Sequence, residues 1–348
     1  MPEIERPKFN MGYRHLKYLK ISILYLFFLF SSGGGHVQAA SGEGEKFNPG
    51  EMIMHHVIDA HEWHFFDWGD THFTLPLPII IYSKTNGLVA FMSSSFHHGE
   101  TSYKGYSMDA SGHIQSEDGH SFIDLSITKN TAALFMGAAI MLFVFMAVAK
   151  RYRSHPGKAP GGLQSWLEPV ILYIKDEIVK PSIGPKYQKY LPYMLTLFFF
   201  IWMGNLLGLL PGAANLTGNI AVTLVLAIFT LIMTLYSANK NYWMHILNPP
   251  GVPIFLKPVI AIIEVLGIFT KPFSLMLRLF VAITAGHIVI LSLIGLAFIF
   301  QSYVVGIGTS FVIVFISLIE LLVATIQAYV FTLFSSIYIG MAVAEDHH

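Results

Sequence analysis

Two apolar runs close the chain, at about residues 254–300 and 303–343, each some 40–47 residues long. No other feature restricts the fold so strongly. At 1.5 Å per residue a 45-residue helix is roughly 68 Å long, whereas the hydrocarbon of a bilayer is only about 30 Å thick. Each run is therefore either two upright spans or one strongly inclined helix. Upright pairs need a polar turn halfway along. The second run has none, since only Glu320 and Gln327 are strongly polar between Phe311 and Tyr338. In the first run only Lys271-Pro272 intervenes, which suits a kink better than a loop. The expectation is a hairpin of two long tilted helices. Tilts in lipid average only about 20°, so such a hairpin makes sense where it wraps the flank of a cylindrical partner.

Of the 348 residues, 54% are hydrophobic and 12% charged. That balance describes a multi-span membrane protein rather than a soluble domain. The formal net charge is zero, which gives no general case for nucleic acid. There is no cysteine, which rules out disulfides and thiolate metal sites but identifies no compartment. No phosphate-cradling or nucleophile-elbow glycine motif stands in a useful context, so direct nucleotide binding, a cofactor and acyl chemistry are not expected.

Residues 1–40 read as a signal peptide. Arg14, Lys17 and Lys20 precede the short apolar core Ile21–Phe30, and small residues follow near Ala39 and Ala40. An uncleaved anchor is the alternative. Residues 41–130 form an extracytoplasmic His-rich and β-hairpin region. His55, His56, His61, His64 and His72 mix with Glu51, Asp59, Glu62, Asp67 and Asp70. The offsets from Ile53 to His64 suggest a short amphipathic helix, with His61 and His64 on one face. A polar surface helix explains this better than a metal site, and no metal is assigned. Further on, FTLPLPIIIYS, the Asn-Gly turn at Lys84–Gly87 and LVAFMSSS predict a β-hairpin. Pro76 and Pro78 suggest an edge strand.

The membrane domain is expected over residues 131–348. A first span covers 131–149, and Lys150, Arg151, Arg153 and Lys158 place its end in the cytoplasm. The amphipathic stretch 163–180 reads as an interfacial helix. Spans at 190–211 and 217–238 follow, then the long pair 254–300 and 303–343. The mature N-terminus falls outside the cytoplasm and the C-terminus inside. The fold class is thus an all-α multi-span membrane protein of antiparallel helices, with a small β-rich subdomain at its N-terminal end.

The long helices carry a polar constellation. Arg278 is always charged, and on insertion scales a charge at mid-membrane costs roughly 2.5–3.5 kcal/mol. About 18 or more mostly apolar residues lie on either side of it, so it does not reach an interface by snorkelling. Glu264, Lys271 and Arg278 are seven apart and share one helical stripe with Ser274. Glu320 and Gln327 are also seven apart, with Ala324 and Ala328 nearby to allow close helix approach. His287 follows Arg278 by nine residues, about 13.5 Å along the axis, and points toward a separate cavity. Imidazole titrates near neutrality, so a His287–Glu320 pair is suited to relaying protons. Any one of these residues would read as bundle glue. Five together suit two water-filled half-paths separated by a fixed cation.

The segment EVLGIFTKPFSLMLRLF at Glu264–Phe280, with AGH at Ala285–His287 and IELLVATIQAYVF around Gln327, resembles the membrane subunit a of F-type ATP synthases. MGNLLGLLP and GNIAVT continue the likeness more faintly, and about the last 220 residues are covered. The N-terminal third looks like an extension. The resemblance implies that Arg278 stands between two half-channels, opposite the carboxylate of a rotating c-ring, with Gln327 facing it. Glu264 falls on the cytoplasmic path and Asn219 on the outer one. His287 and Glu320 occupy the relay pair in the order that resembles the mitochondrial form. Ala282, Ala221 and Gly208 depart from the family pattern at positions that are often polar.

The implied function is a proton-translocating stator subunit of a rotary ATP synthase. As such it is a part of the H⁺-transporting enzyme that binds no nucleotide. It would sit multi-pass in a bacterial inner membrane with the c-ring and b subunits as partners. The rival is a self-contained ion-coupled secondary transporter or channel with Arg278 as a substrate clamp. No inverted repeat is visible in its favour.

Overall fold

The structure is a computed structural model that describes residues 59–344, except 69–70, 86, 100, 110–111, 211–213, 250 and 301. The leader, His55, His56, Glu51 and Asp70 lie outside the described residues. Residues 66–74 belong to a separate compact unit from residues 47–65 and 75–348. All that follows concerns the second unit unless stated.

The N-terminal region is made of short strands. They are β1 (Glu62–Trp68), β2 (Thr71–Pro76), β3 (Pro78–Ser83), β4 (Gly87–Met92), β5 (Tyr106–Met108), β6 (Ile114–Ser116) and β7 (Phe122–Asp124). The hairpin expected at the Asn-Gly turn forms, with Ser83 paired to Gly87 and Pro78 to Met92. Two expectations are corrected. Residues 62–68 are a strand rather than a helix. EWHFFDW is rich in aromatics that favour extended backbone, and this outweighs the three-residue histidine spacing. The edge expectation holds for β2, which ends at Pro76 in the two-stranded sheet β1-β2, but not for the strand that Pro78 opens. β3 is the middle strand of the sheet β4-β3-β7. Pro78 opens β3, a position where its missing N–H is tolerated, and Pro76 ends β2. Ile79, Ile81, Phe96 and Tyr106 form a small buried core between the strands.

Helices take over at α1 (Lys129–Ser154), where the Thr128 hydroxyl caps the first turn by accepting from the Thr131 N–H. Arg151 and Arg153 lie in its last turn, which suits the negative end of the helix dipole. Next come α2 (Leu163–Tyr173), a wider π-type stretch Ile174–Val179 and α3 (Lys180–Ile183). The stretch 163–180 is thus not one regular amphipathic helix. Ile174, Ile178 and Val179 are fully buried in the main core, and the widened turn is what aims these three inward together.

Then follow α4 (Tyr187–Gly208), α5 (Ile220–Ser237) and the short α6 (Lys240–Leu247). On α4 the buried residues Tyr190, Met194, Leu197, Ile201, Gly204 and Gly208 recur every three or four positions, one helical face. Gly204 lets Leu216 sit against the helix: a methyl there would meet its Cδ1 at 3.3 Å. The chain ends in α7 (Lys257–Phe300, 44 residues) and α8 (Tyr303–Val343, 41 residues). Each is a single helix about 60–66 Å long, twice the hydrocarbon thickness. Pro272 is accommodated inside α7.

Among the described residues, five helices are long and apolar enough to cross a membrane. α7 and α8 pack on each other, and α8 also packs on α4. Ala324, Ala328, Thr332, Ser335, Ser336 and Gly340 on α8 are all buried, the small-residue stripe that close membrane helices need. Hydrogen bonds between helices reinforce it. The Tyr193 and Thr230 hydroxyls lie 3.3 Å apart, as do those of Thr230 and Ser335. At the far end the Asn239 side chain donates to the Val343 carbonyl at 3.0 Å, tying α6 to the end of α8.

Candidate functional site

Arg278 projects from the middle of α7 and is exposed. Its guanidinium lies over the Phe334 ring of α8, 4.8 Å from the centroid. About two turns away the Lys271 ammonium lies 5.8 Å from the centroid of Tyr338, and Phe334 and Tyr338 stack at 6.1 Å. Two cations therefore rest on a two-ring platform, held by the attraction of positive charge for aromatic faces. Ser274, between them on the same stripe, is exposed. Gln327 is half-buried, seven residues before Phe334 and so on the same face of α8. Glu264 is half-buried further along α7. Its negative charge, after burial, helps push the Tyr242 hydroxyl above its ordinary range.

Toward the other half of the hairpin, His287 Nδ1 lies 3.8 Å from Glu320 Oε1. The carboxylate is 3% exposed, and neither oxygen has a hydrogen-bond partner among the described residues. A buried carboxylate in that state is costly, so the fold holds it there against its own stability. Gly286 makes the seat. A Cβ on it would meet Glu320 Oε1 at 3.3 Å and Cδ at 3.4 Å. Gly286→Ala is therefore expected to push the Glu320 side chain by a few tenths of an ångström and, because the packed site yields little, to lower the thermal unfolding temperature in detergent. An unchanged temperature contradicts this fit.

His287 also borders a cavity of about 220 Å³, shared with Thr284 and Phe280 of α7, Asn215, Gly218, Asn219 and Ile220, and Asp59, Lys129 and Asn130. Asn219 has a second task there. Its Oδ1 accepts from the Ala221 N–H at 2.9 Å and so caps α5. The structure thus gathers these residues in two groups: Arg278, Lys271 and Ser274 along one face of α7, with Gln327 on the face of α8 that bears Phe334, and His287 and Asn219 on the cavity, with Glu320 buried beside His287. Glu264 stands apart from both.

Sequence reasoning gave Asn205 no part. It is 2% exposed; its Oδ1 accepts from the Thr217 hydroxyl at 2.5 Å and its amide donates to the Ala324 carbonyl at 3.3 Å. One amide thereby fixes the turn before α5 and the centre of α8, four residues from Glu320. The only signal in the sequence is an amide inside an apolar helix. Asn205→Leu orphans the Thr217 hydroxyl, at about 1–3 kcal/mol, and should lower the thermal unfolding temperature in detergent. An unchanged temperature contradicts this network.

The buried imidazole of the N-terminal region has a local role. His61 is 6% exposed, with Nδ1 3.1 Å from the Gly112 carbonyl oxygen and Nε2 3.4 Å from Asp124 Oδ2.

Residues 131–340 match the family model described as ATP synthase A chain. Residues 52–133 match a second model, described as a domain of unknown function (DUF8433). Chlorobaculum tepidum has an "ATP synthase subunit a 2" that is 37% identical over 324 residues, 90% of this chain and 80% of that protein. An "ATP synthase subunit a" of Chloroherpeton thalassium is 35% identical over 337 residues, 92% and 88%. One of Anaeromyxobacter sp. is 34% identical over 332 residues, 90% and 75%. The N-terminal region is thus shared with these relatives rather than peculiar to this chain. With five candidate spans and a family match over most of its length, the chain belongs to the ATP synthase A chain family.

Proposed function

We propose that this chain is the proton-translocating stator subunit in the membrane sector of a bacterial rotary ATP synthase. It spans the inner membrane with its mature N-terminus outside and its C-terminus in the cytoplasm. It works against a ring of c subunits, is held by the b subunits and binds no nucleotide itself. Protons enter from outside past Asn219, His287 and Glu320 and neutralise a ring carboxylate. They ride round with the ring and leave past Glu264. Lys271 and Ser274 support the cationic face, and Gln327 steadies the approach of the ring to Arg278.

One observation carries this reading. The permanently charged Arg278 is exposed at the middle of a helix twice the length of the hydrocarbon, while His287 and the buried Glu320 meet at 3.8 Å about two and a half turns away. An exposed guanidinium at that depth calls for an anion from a partner. A carboxylate facing it stays ionised, and one that moves on into lipid must first take a proton. The fixed charge thereby separates the entry path from the exit path and forces each proton through rotation. Affinity purification of the tagged chain in mild detergent tests the reading. Recovery with a ring and soluble ATPase subunits supports it. An active transporter recovered free of any ring overturns it.

A further inference from the structure

The wall of the cavity beside His287 is not built by the ATP synthase A chain segment alone. Asp59 is held at its rim because its Oδ1 accepts from the Asn130 N–H at 3.0 Å. The neighbouring Lys129 N–H donates to the Ala60 carbonyl at 2.8 Å. These contacts pin the end of the N-terminal region to the start of α1. Asp59, Lys129 and Asn130 all precede the segment matched to the ATP synthase A chain and fall within the domain of unknown function. From them the cavity continues past Asn219 to Thr284 and His287. Beyond His287 lies Glu320. Thr284 also lines this space, and its buried Oγ1 has no hydrogen-bond partner among the described residues. The volume, about 220 Å³, has room for several waters, and the lining offers them partners.

We infer that Asp59 is the proton-collecting residue at the mouth of the outer half-path, so that the N-terminal domain is the vestibule of the channel. The inference rests on the stator reading above. A carboxylate at the rim takes a proton from outside water or buffer and passes it through water to the His287 imidazole. The carboxylate is thereby regenerated, and no bond other than those to the proton changes. Among the described residues, the titratable groups that line the cavity with Asp59 are Lys129 from α1 and His287 from α7. Collection matters most where free protons are scarce, which gives the role a signature that packing lacks.

The test uses the holoenzyme reconstituted in liposomes, with ATP synthesis followed as the entry-side pH is varied at constant driving force. Asp59→Asn keeps an oxygen to accept from Asn130 and removes only the exchangeable proton. Synthesis should fall about tenfold on an alkaline entry side, in keeping with loss of a positioned acid–base group. It should approach wild type on a mildly acidic one, and recover when imidazole is added there as a mobile proton carrier. A wild-type profile, or an equal loss at every pH that imidazole does not relieve, overturns the vestibule role. Arg278→Ala run in parallel tells the two claims apart. If it abolishes synthesis while Asp59→Asn behaves as wild type, the vestibule alone is wrong. If it leaves synthesis at the wild-type rate, the stator reading fails and takes the vestibule with it.

Discussion

Membranes carrying Arg278→Ala are expected to make no ATP from a proton gradient, and those carrying Arg278→Lys to make none either. Alanine removes the charge that keeps a facing ring carboxylate ionised. The carboxylate can then pass the site without releasing its proton, and the two half-paths meet. Lysine keeps the charge and loses everything else. The planar guanidinium is weakly hydrated and lies over Phe334, 4.8 Å from the ring centroid. An ammonium is a compact, strongly hydrated point charge on a flexible stem. It cannot hold two oxygens of a carboxylate at once, and it costs more to strip of water. Synthesis in inverted vesicles should read at background for both variants, with assembled complex at the wild-type level by immunoblot. Wild-type synthesis by either variant refutes the role given to Arg278.

The second large effect concerns the pair across the hairpin. His287→Glu places two carboxyl groups about 3–4 Å apart, given the present 3.8 Å separation, with the one at Glu320 buried. Like charges so close do not both ionise, and they share one proton that leaves reluctantly. Pumping should fall about tenfold or more, since each factor of ten needs only about 1.4 kcal/mol. Adding Glu320→His restores one acid and one imidazole with their helices exchanged. If the pair acts as a relay, the double variant recovers a substantial part of what the single lost. If each residue merely packs against its own surroundings, the losses add. Gly286 bears on the outcome. It sits against Glu320, and a histidine at 320 has to fit the same narrow seat, so recovery will be partial. A fully assembled double variant as poor as the sum of the singles would falsify the relay.

The sequence told most where the physics is local. Two runs too long and too apolar to be anything but long helices became α7 and α8. A seven-residue stripe placed Lys271 and Arg278 on one face, where they meet Phe334 and Tyr338. The helical offset of His287 turned it away from Arg278 and toward Glu320. What escaped depends on partners far along the chain. Asn205 matters because Thr217 and Ala324 come to it, and neither is marked in the sequence around it. Gly286 carries no such mark either, yet its lack of a side chain makes room for Glu320. The Ile174–Val179 stretch widens because three apolar residues face one core. The histidine spacing misled because residues 62–68 are extended, so residues three apart no longer share a face. The edge reading held for Pro76 and failed for Pro78 because β7, which covers the free side of β3, comes some forty residues later.

The central claim is that the face of α7 bearing Arg278 meets the rotor. The chain has no cysteine, so Ser274→Cys introduces a single thiol. Ser274 is exposed one turn before Arg278, and the rotor subunit can carry its own single cysteine next to its membrane carboxylate. Mild oxidation of the assembled complex should then give a disulfide-linked product of the two chains. ATP-driven pumping should stop with its formation and return on reduction. Oxidation that yields no such product in an assembled, active complex, or a product that leaves pumping untouched, contradicts the claim.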